Sequence, residues 1–154
     1  MNGQYELILD KLRKFCAYRD RSHEEVRSKL LGMKIYGHPL ESIISTLIQE
    51  DFLNEERYAL QFTSGKFRMN GWGWIKIKNH LKSKGVSEYN IRKAHQSLDE
   101  SEYKDTLKTI LNKKRNQIGG QNKSQITHKL IQYSRQKGFE YELIKEILDE
   151  WETM

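Results

Sequence analysis

Residues 54–86 read NEERYALQFTSGKFRMNGWGWIKIKNHLKSKGV. Asn54 stands ahead of Glu55 and Glu56, a cap followed by carboxylates that suit the exposed N–H groups of a first helical turn. Tyr58, Ala59 and Phe62 then fall on one face and predict a helix to about Phe67. Asn70-Gly71-Trp72-Gly73 breaks it. Trp74, Ile77 and Leu81 mark the inner side of a second helix that Gly85 stops, and Ser87 caps a third, with Ile91, Ala94 and Leu98 inward. Charge follows its own pattern over the same stretch. No acid occurs between Glu56 and Glu88, while Arg57, Lys66, Arg68, Lys76, Lys78, Lys82 and Lys84 do, with Trp72 and Trp74 among them. Such a surface suits phosphate or an acidic partner.

Outward from this stretch the same layout recurs on both sides. Before it, Tyr5, Ile8, Leu12, Phe15 and Cys16 form an apolar stripe over Gln4 to Tyr18. Ser22 with Glu25 is a capping box for a helix carrying Val26 and Leu30, closed by Gly32 or Gly37. Pro39 suits the first position of a third helix, whose face is Leu40, Ile43, Ile44, Leu47 and Ile48. After it come a helix from about Ser101 to Asn116 (Tyr103, Leu107, Ile110, Leu111) and a loop at Gln117 to Asn122. A helix from about Ser124 to Lys137 (Ile126, Leu130, Tyr133) follows. Gly138 and a last helix with Tyr141, Ile144, Ile147, Leu148 and Trp151 complete the chain.

The helices count off in threes, with a register mark Gly-x5-Ile at Gly37/Ile43, Gly85/Ile91 and Gly138/Ile144. The glycines are 48 and 53 residues apart, within the range of helical repeats. The expectation is an all-α fold, an elongated curved array of three tandem three-helix repeats at residues 4–50, 54–98 and 101–152. Each unit is too small to bury a core alone and must stack on its neighbour.

Composition agrees with this. The chain is 36% hydrophobic and 31% charged, with one proline and a formal charge of +6, which makes a polyanionic partner plausible. A second acid-free window, from Thr106 to Phe139, holds Lys108, Lys113, Lys114, Arg115, Lys123, Lys129, Arg135 and Lys137. If repeats stack in register, the two windows join as one basic stripe. The final segment is acidic: it is a solvated helix face, or it folds back onto the stripe or repels DNA locally. No apolar run reaches the roughly 18–20 residues of a membrane span. The start of the chain lacks a signal-peptide layout, and the single Cys16 fits a reducing compartment, so a cytoplasmic protein is expected.

No reaction centre assembles from the pattern. His23, His38, His80, His95 and His128 lack metal-ligand spacing. Glu24-Glu25 and Glu55-Glu56 sit in first helical turns, where the helix dipole accounts for them. Cys16 belongs to an apolar stripe, and Gly71-x-Gly73 and Gly119-Gly120 lack the context of a phosphate loop. Trp74 reads as core. Trp72, in the break, is open to packing or to stacking on a base. No catalytic residue, cofactor or metal is expected.

Several segments together resemble a known family. Arg19-x-x-Ser22-x-x-Glu25-Val26-x-x-Lys29-Leu30, Phe52-Leu53-Asn54-Glu55-Glu56-Arg57-Tyr58-Ala59 and Lys66-Phe67-Arg68 are similar to the RecX regulatory proteins of bacterial recombinase A. So are Trp72-Gly73, Ile75-Lys76-Ile77, Leu81-x-x-Lys84-Gly85-Val86-Ser87 and Lys137-Gly138-Phe139. The extra residues around Gly32–His38, His95 in place of an aliphatic residue, and the Gly119-Gly120 loop depart from the family pattern. The resemblance implies nine helices in three repeats. It also implies binding along the recombinase A–single-stranded DNA filament (RecA filament), with suppression of ATPase, strand-exchange and co-protease activities in DNA repair, recombination and SOS control.

A monomer is expected. The residues expected to face DNA or filament are Arg57, Lys66, Arg68, Trp72, Lys76, Lys78, Lys82, Lys84, Lys113, Lys114, Arg115, Lys123, Lys129, Arg135 and Lys137. A stand-alone helical DNA-binding protein of helix-turn-helix-like repeats, gripping duplex DNA without the recombinase, is the alternative.

Overall fold

The computed structural model describes residues 3–119 and 122–152; Gly120 and Gln121, two residues of the expected polar loop, lie outside the described residues. Among the described residues there are nine α-helices and no strand. They are α1 (Gly3–Tyr18), α2 (His23–Gly32), α3 (Gly37–Gln49), α4 (Glu55–Asn70), α5 (Trp74–Ser83), α6 (Glu88–Gln96), α7 (Glu100–Gln117), α8 (Lys123–Gln136) and α9 (Tyr141–Glu152). None is long and apolar enough to cross a membrane.

The starts follow from the caps. Ser22 accepts from the Glu25 N–H at 3.0 Å while the Glu25 carboxylate accepts from Ser22 N–H at 3.2 Å, the expected capping box. Asn54 accepts from Arg57 N–H at 2.9 Å and Ser87 from Asn90 N–H at 3.2 Å. Asp99 caps α7 and Asn122 caps α8, two caps that hydrophobic spacing had not singled out. Each cap contributes about 1 kcal/mol.

The stops shift the repeat register in the first trio. Before α6 and α9 the chain turns through Gly85 (φ 73°) and Gly138 (φ 100°). The next residue sends its N–H back five positions, Val86 to Leu81 and Phe139 to Ser134. In the first trio the same bond runs from Ile35 to Leu30, so the equivalent left-handed position is Lys34 (φ 63°), and Gly37, left-handed as well (φ 61°), stands three residues further on. Six residues on stand Leu40, Ile91 and Ile144, all buried. The mark Gly37/Ile43 lies three residues late. Because i and i+3 share a helix face, Ile43 is buried too and the pattern looked correct. A lysine at the left-handed position hid the true mark.

The chain forms two compact units, residues 1–61 with 81–94, and residues 62–80 with 95–154, so α4, α5 and α6 each contribute to both. The first unit is centred on Leu9, Leu12, Cys16, Val26, Leu30, Leu40, Ile43 and Leu47. In the second, Phe67, Trp74, Ile77, Leu107, Leu111, Phe139, Ile144 and Ile147 are buried. Two residues expected inside face outward: Ile48 is 44% exposed and Tyr141 39%. Both sit at the margin of their helix's apolar stripe, where neighbouring side chains already fill the core. Leu9, buried, lies between the stripe positions Ile8 and Leu12.

Candidate nucleic-acid interface

Within the second unit the break between α4 and α5 lies directly on the turn between α8 and α9. Gly73 N–H donates to the Lys137 carbonyl at 2.7 Å and Ile75 N–H to the Gly138 carbonyl at 2.9 Å. Backbone meets backbone so closely that a Cβ on Gly73 would stand 2.4 Å from the Gly138 carbonyl carbon. One on Gly138 would stand 2.5 Å from the Lys76 Cβ. Only glycine fits either place. Beneath this junction the Tyr103 hydroxyl accepts from Trp74 N–H at 2.8 Å and donates to Glu140 at 2.5 Å. Burial and the Glu140 carboxylate push the Tyr103 hydroxyl well above its ordinary value, so it stays a neutral donor. Phe67 stacks on Tyr103 with ring centroids 5.6 Å apart, and Trp74, buried as expected, stacks on His95 at 4.4 Å.

This junction brings the two basic windows together. Trp72 is half-buried, with the Lys66 and Lys76 ammonium groups 4.9 and 4.4 Å from its ring centre. Phe62 and His80, stacked on each other at 4.3 Å, meet Trp72 edge-on. From the other window, the Lys137 ammonium donates to the Asn70 carbonyl at 3.1 Å, and the Lys114 ammonium lies 4.6 Å from the Tyr133 ring centre. Arg115 sits 4.2 Å over Trp151, and Arg135 5.6 Å from Tyr141. Each cation–ring contact is worth about 0.5–1 kcal/mol at such exposed sites. A ring carries no net charge, so these cations are positioned without being neutralised. The result is a set of preplaced positive charges beside aromatic faces, an arrangement able to hold phosphates and stack bases.

Other expected stripe residues are differently employed. Arg57 is tied to Asp20 at 2.6 Å and Asp51 at 3.1 Å, which fixes the chain entering α4 and takes it out of the stripe. Arg68 pairs with Glu102 at 3.3 Å, Lys84 with Glu24 at 3.2 Å and Lys123 with Glu152 at 3.4 Å. The acidic end of the chain does reach back: Glu150 is 2.9 Å from Lys104 and 3.9 Å from Lys108. It leaves the residues around Trp72 alone. Among the described residues, Lys78, Lys82, Lys113 and Lys129 enter no ion pair; Lys78 is half-buried and the other three are exposed.

Glu55 does more than favour a helix dipole. It accepts from Ser87 N–H at 2.7 Å and from the Asn90 amide at 3.0 Å, tying the start of α4 to the start of α6. Burial works against its ionised form, but these donors win and hold its pKa below the ordinary value. Cys16 is buried, which pushes its thiol up to about 11 and leaves it unreactive. Tyr133 was overlooked as a platform; its position four residues before Lys137, one helical turn, was the available signal.

Comparison with known proteins begins at this junction. A sequence profile described as RecX, second three-helix domain, matches residues 54–94. Regulatory protein RecX of Clostridioides difficile is 24% identical over 91% of this chain and 66% of its own length. That of Clostridium botulinum is 29% identical over 84% of the chain and 61% of its own length. The chain is thus similar to RecX proteins along most of its length. The fold agrees: a crystal structure of RecX from Lactobacillus salivarius superposes with a TM-score of 0.87 at 23% identity, covering 97% of both chains. A second RecX crystal structure gives 0.85 at 20% identity, over 95% of this chain and 72% of that one. The chain spans about half to two thirds of the length of the curated RecX relatives it matches, and those relatives are named regulatory proteins.

Proposed function

We propose that this chain is a non-enzymatic cytoplasmic regulator that binds the recombinase A–single-stranded DNA filament. On this reading it inhibits the filament's ATPase, strand-exchange and co-protease activities. The observation that carries the reading is the meeting of both basic windows at the α4–α5 break, where Lys66, Lys76, Lys114 and Lys137 are aligned by Trp72 and Tyr133 without an acidic partner. Similarity to proteins named as regulatory points the same way. The three trios, at 4–50, 54–98 and 101–152, are the proposed repeats, each free to touch a different protomer. Several weak contacts then add by effective concentration rather than by individual strength. An occupied groove hinders the subunit movements that ATP turnover and strand exchange require.

The test is recombinase A ATPase on single-stranded DNA, titrated with the native chain and with Lys66→Glu/Lys76→Glu. The variant should inhibit about tenfold more weakly, with a shallower dependence on salt. Unchanged inhibition removes the junction from the mechanism. Tight, salt-steep binding of naked duplex with no effect on the ATPase would instead favour the stand-alone DNA-binding reading.

A further inference from the structure

By charge count the N-terminal trio is nearly neutral, and nothing in its sequence advertises a binding face. The structure sorts those charges. Asp10 and Glu50 close on Arg13, Glu41 on Arg27, and Glu25 on Arg19 at 2.6 Å. With the acids drawn to those pairs, an open depression of about 510 Å³ remains between α1 and α2. Lys11, Lys14, Arg21 and Lys29 line it with Phe15, Tyr18 and Met33, and no carboxylate does.

The depression is built rather than incidental. The Arg21 side chain is only 10% exposed. Its guanidinium lies 3.7 Å from the Phe15 ring centre, and its Nε donates to the Phe15 carbonyl at 2.9 Å. Glu25 pairs with it at 3.7 Å and is not itself part of the depression's wall. Lys29 comes within 5.4 Å of the same ring. At the rim Tyr18 is 84% exposed, its ring 5.9 Å from Arg21. Lys11, Lys14 and Tyr18 follow i, i+3, i+7 and share one face of α1, about 10 Å along its axis. Cations flanking a presented ring suit a strand whose bases are free to stack, whereas a duplex keeps its bases out of reach.

We propose that this face of the N-terminal trio is a second single-stranded nucleic-acid site. Tyr18 stacks on a base, and Lys11, Lys14 and Lys29 hold the flanking phosphates. The site does not depend on the α4–α5 junction or on any effect upon a recombinase.

The experiment uses the whole chain carrying Lys66→Glu/Lys76→Glu, so that the junction is already disabled, and reads fluorescence anisotropy of a labelled oligo(dT). Adding Tyr18→Ala should weaken binding about tenfold, and Tyr18→Phe should restore it. Adding Lys11→Ala, Lys14→Ala and Lys29→Ala should flatten the slope of log affinity against log salt by about 2. Irradiating an oligo(dT) that carries 5-iodouracil should crosslink the peptide containing Tyr18. No measurable binding in the parent variant, or equal binding with and without Tyr18→Ala, overturns the proposal. So does an equal loss with Tyr18→Ala for a blunt duplex of the same length, or for a polyglutamate probe, because either would reduce the face to unspecific charge.

Discussion

In the first unit Arg13, Arg19, Arg27 and Arg57 each end on a carboxylate, whereas in the second Lys66, Lys76, Lys114 and Arg115 end on aromatic rings. Both arrangements order long side chains, but their fields differ. A carboxylate cancels the charge it fixes, while a ring fixes a charge and leaves it whole. The first unit therefore uses its arginines to hold helices together, as Arg13 links α1 to Glu50 beside the end of α3. The second leaves those ring-held charges unneutralised and draws cohesion from close backbone contact and the Tyr103 network.

The contrast extends to the turns, where the largest effect is expected. Gly138→Ala meets a left-handed φ and a Cβ contact of 2.5 Å together, so it should cost about 3 kcal/mol. It should also loosen the α4–α5 junction, read as lost Trp72 fluorescence shift alongside the denaturation midpoint. A change under about 1 kcal/mol would mean that the two backbones are not so closely docked.

Low pH should separate the units next. Burial opposes the ionised form of Glu25, but the hydrogen bond from Arg19 and the Ser22 N–H outweigh it and hold its pKa below 4.5; Arg27 does the same for Glu41. Their stabilisation is present above that value and is lost as pH falls through the lower folded pKa. Tyr103 has the opposite sign. Its raised pKa stabilises the fold below pH 10 and is lost as pH climbs through the folded value. Alkali acts on both units, because the buried Cys16 thiol of the first is raised as well, so the separation is expected in acid: amide exchange followed by mass spectrometry should show the first unit loosening earlier as pH falls. The reverse order would break the comparison.

A smaller effect is expected at Thr63, fully buried in α4 with its hydroxyl unpaired among the described residues. Thr63→Val should stabilise by about 1 kcal/mol in thermal unfolding, since it removes a desolvated polar atom of similar shape. Smallest is Lys34→Gly, which relieves a left-handed lysine and should gain about 0.5 kcal/mol; a loss would show that the Lys34 side chain earns its place.

Much of this was legible beforehand. Helix number, most boundaries and the inward faces of α2, α5 and α6 followed from spacing and from Ser22, Asn54 and Ser87, because caps and amphipathic periodicity act locally. The repeat register was misread by three residues, since Lys34 occupies a position that sequence reasoning assigns to glycine. Of the basic stripe, sequence could count the cations but not allot them. Arg57, Arg68, Lys84 and Lys123 are neutralised by acids between 29 and 60 residues away in the chain, pairings that no local pattern announces.

The amino-acid order by itself determined the nine helices of the described residues, grouped in threes, an excess of positive charge in two windows, and a tryptophan set in a glycine break. Tertiary structure alone decided which cations stay free. It seated Gly73 against Gly138 and so drew the two windows together. It also cleared one face of the N-terminal trio of acid by pairing its carboxylates elsewhere. The reason is one of range: helix propensity and capping act over a turn or two, whereas the pairing of a charge depends on which distant side chain the fold places within a few ångströms.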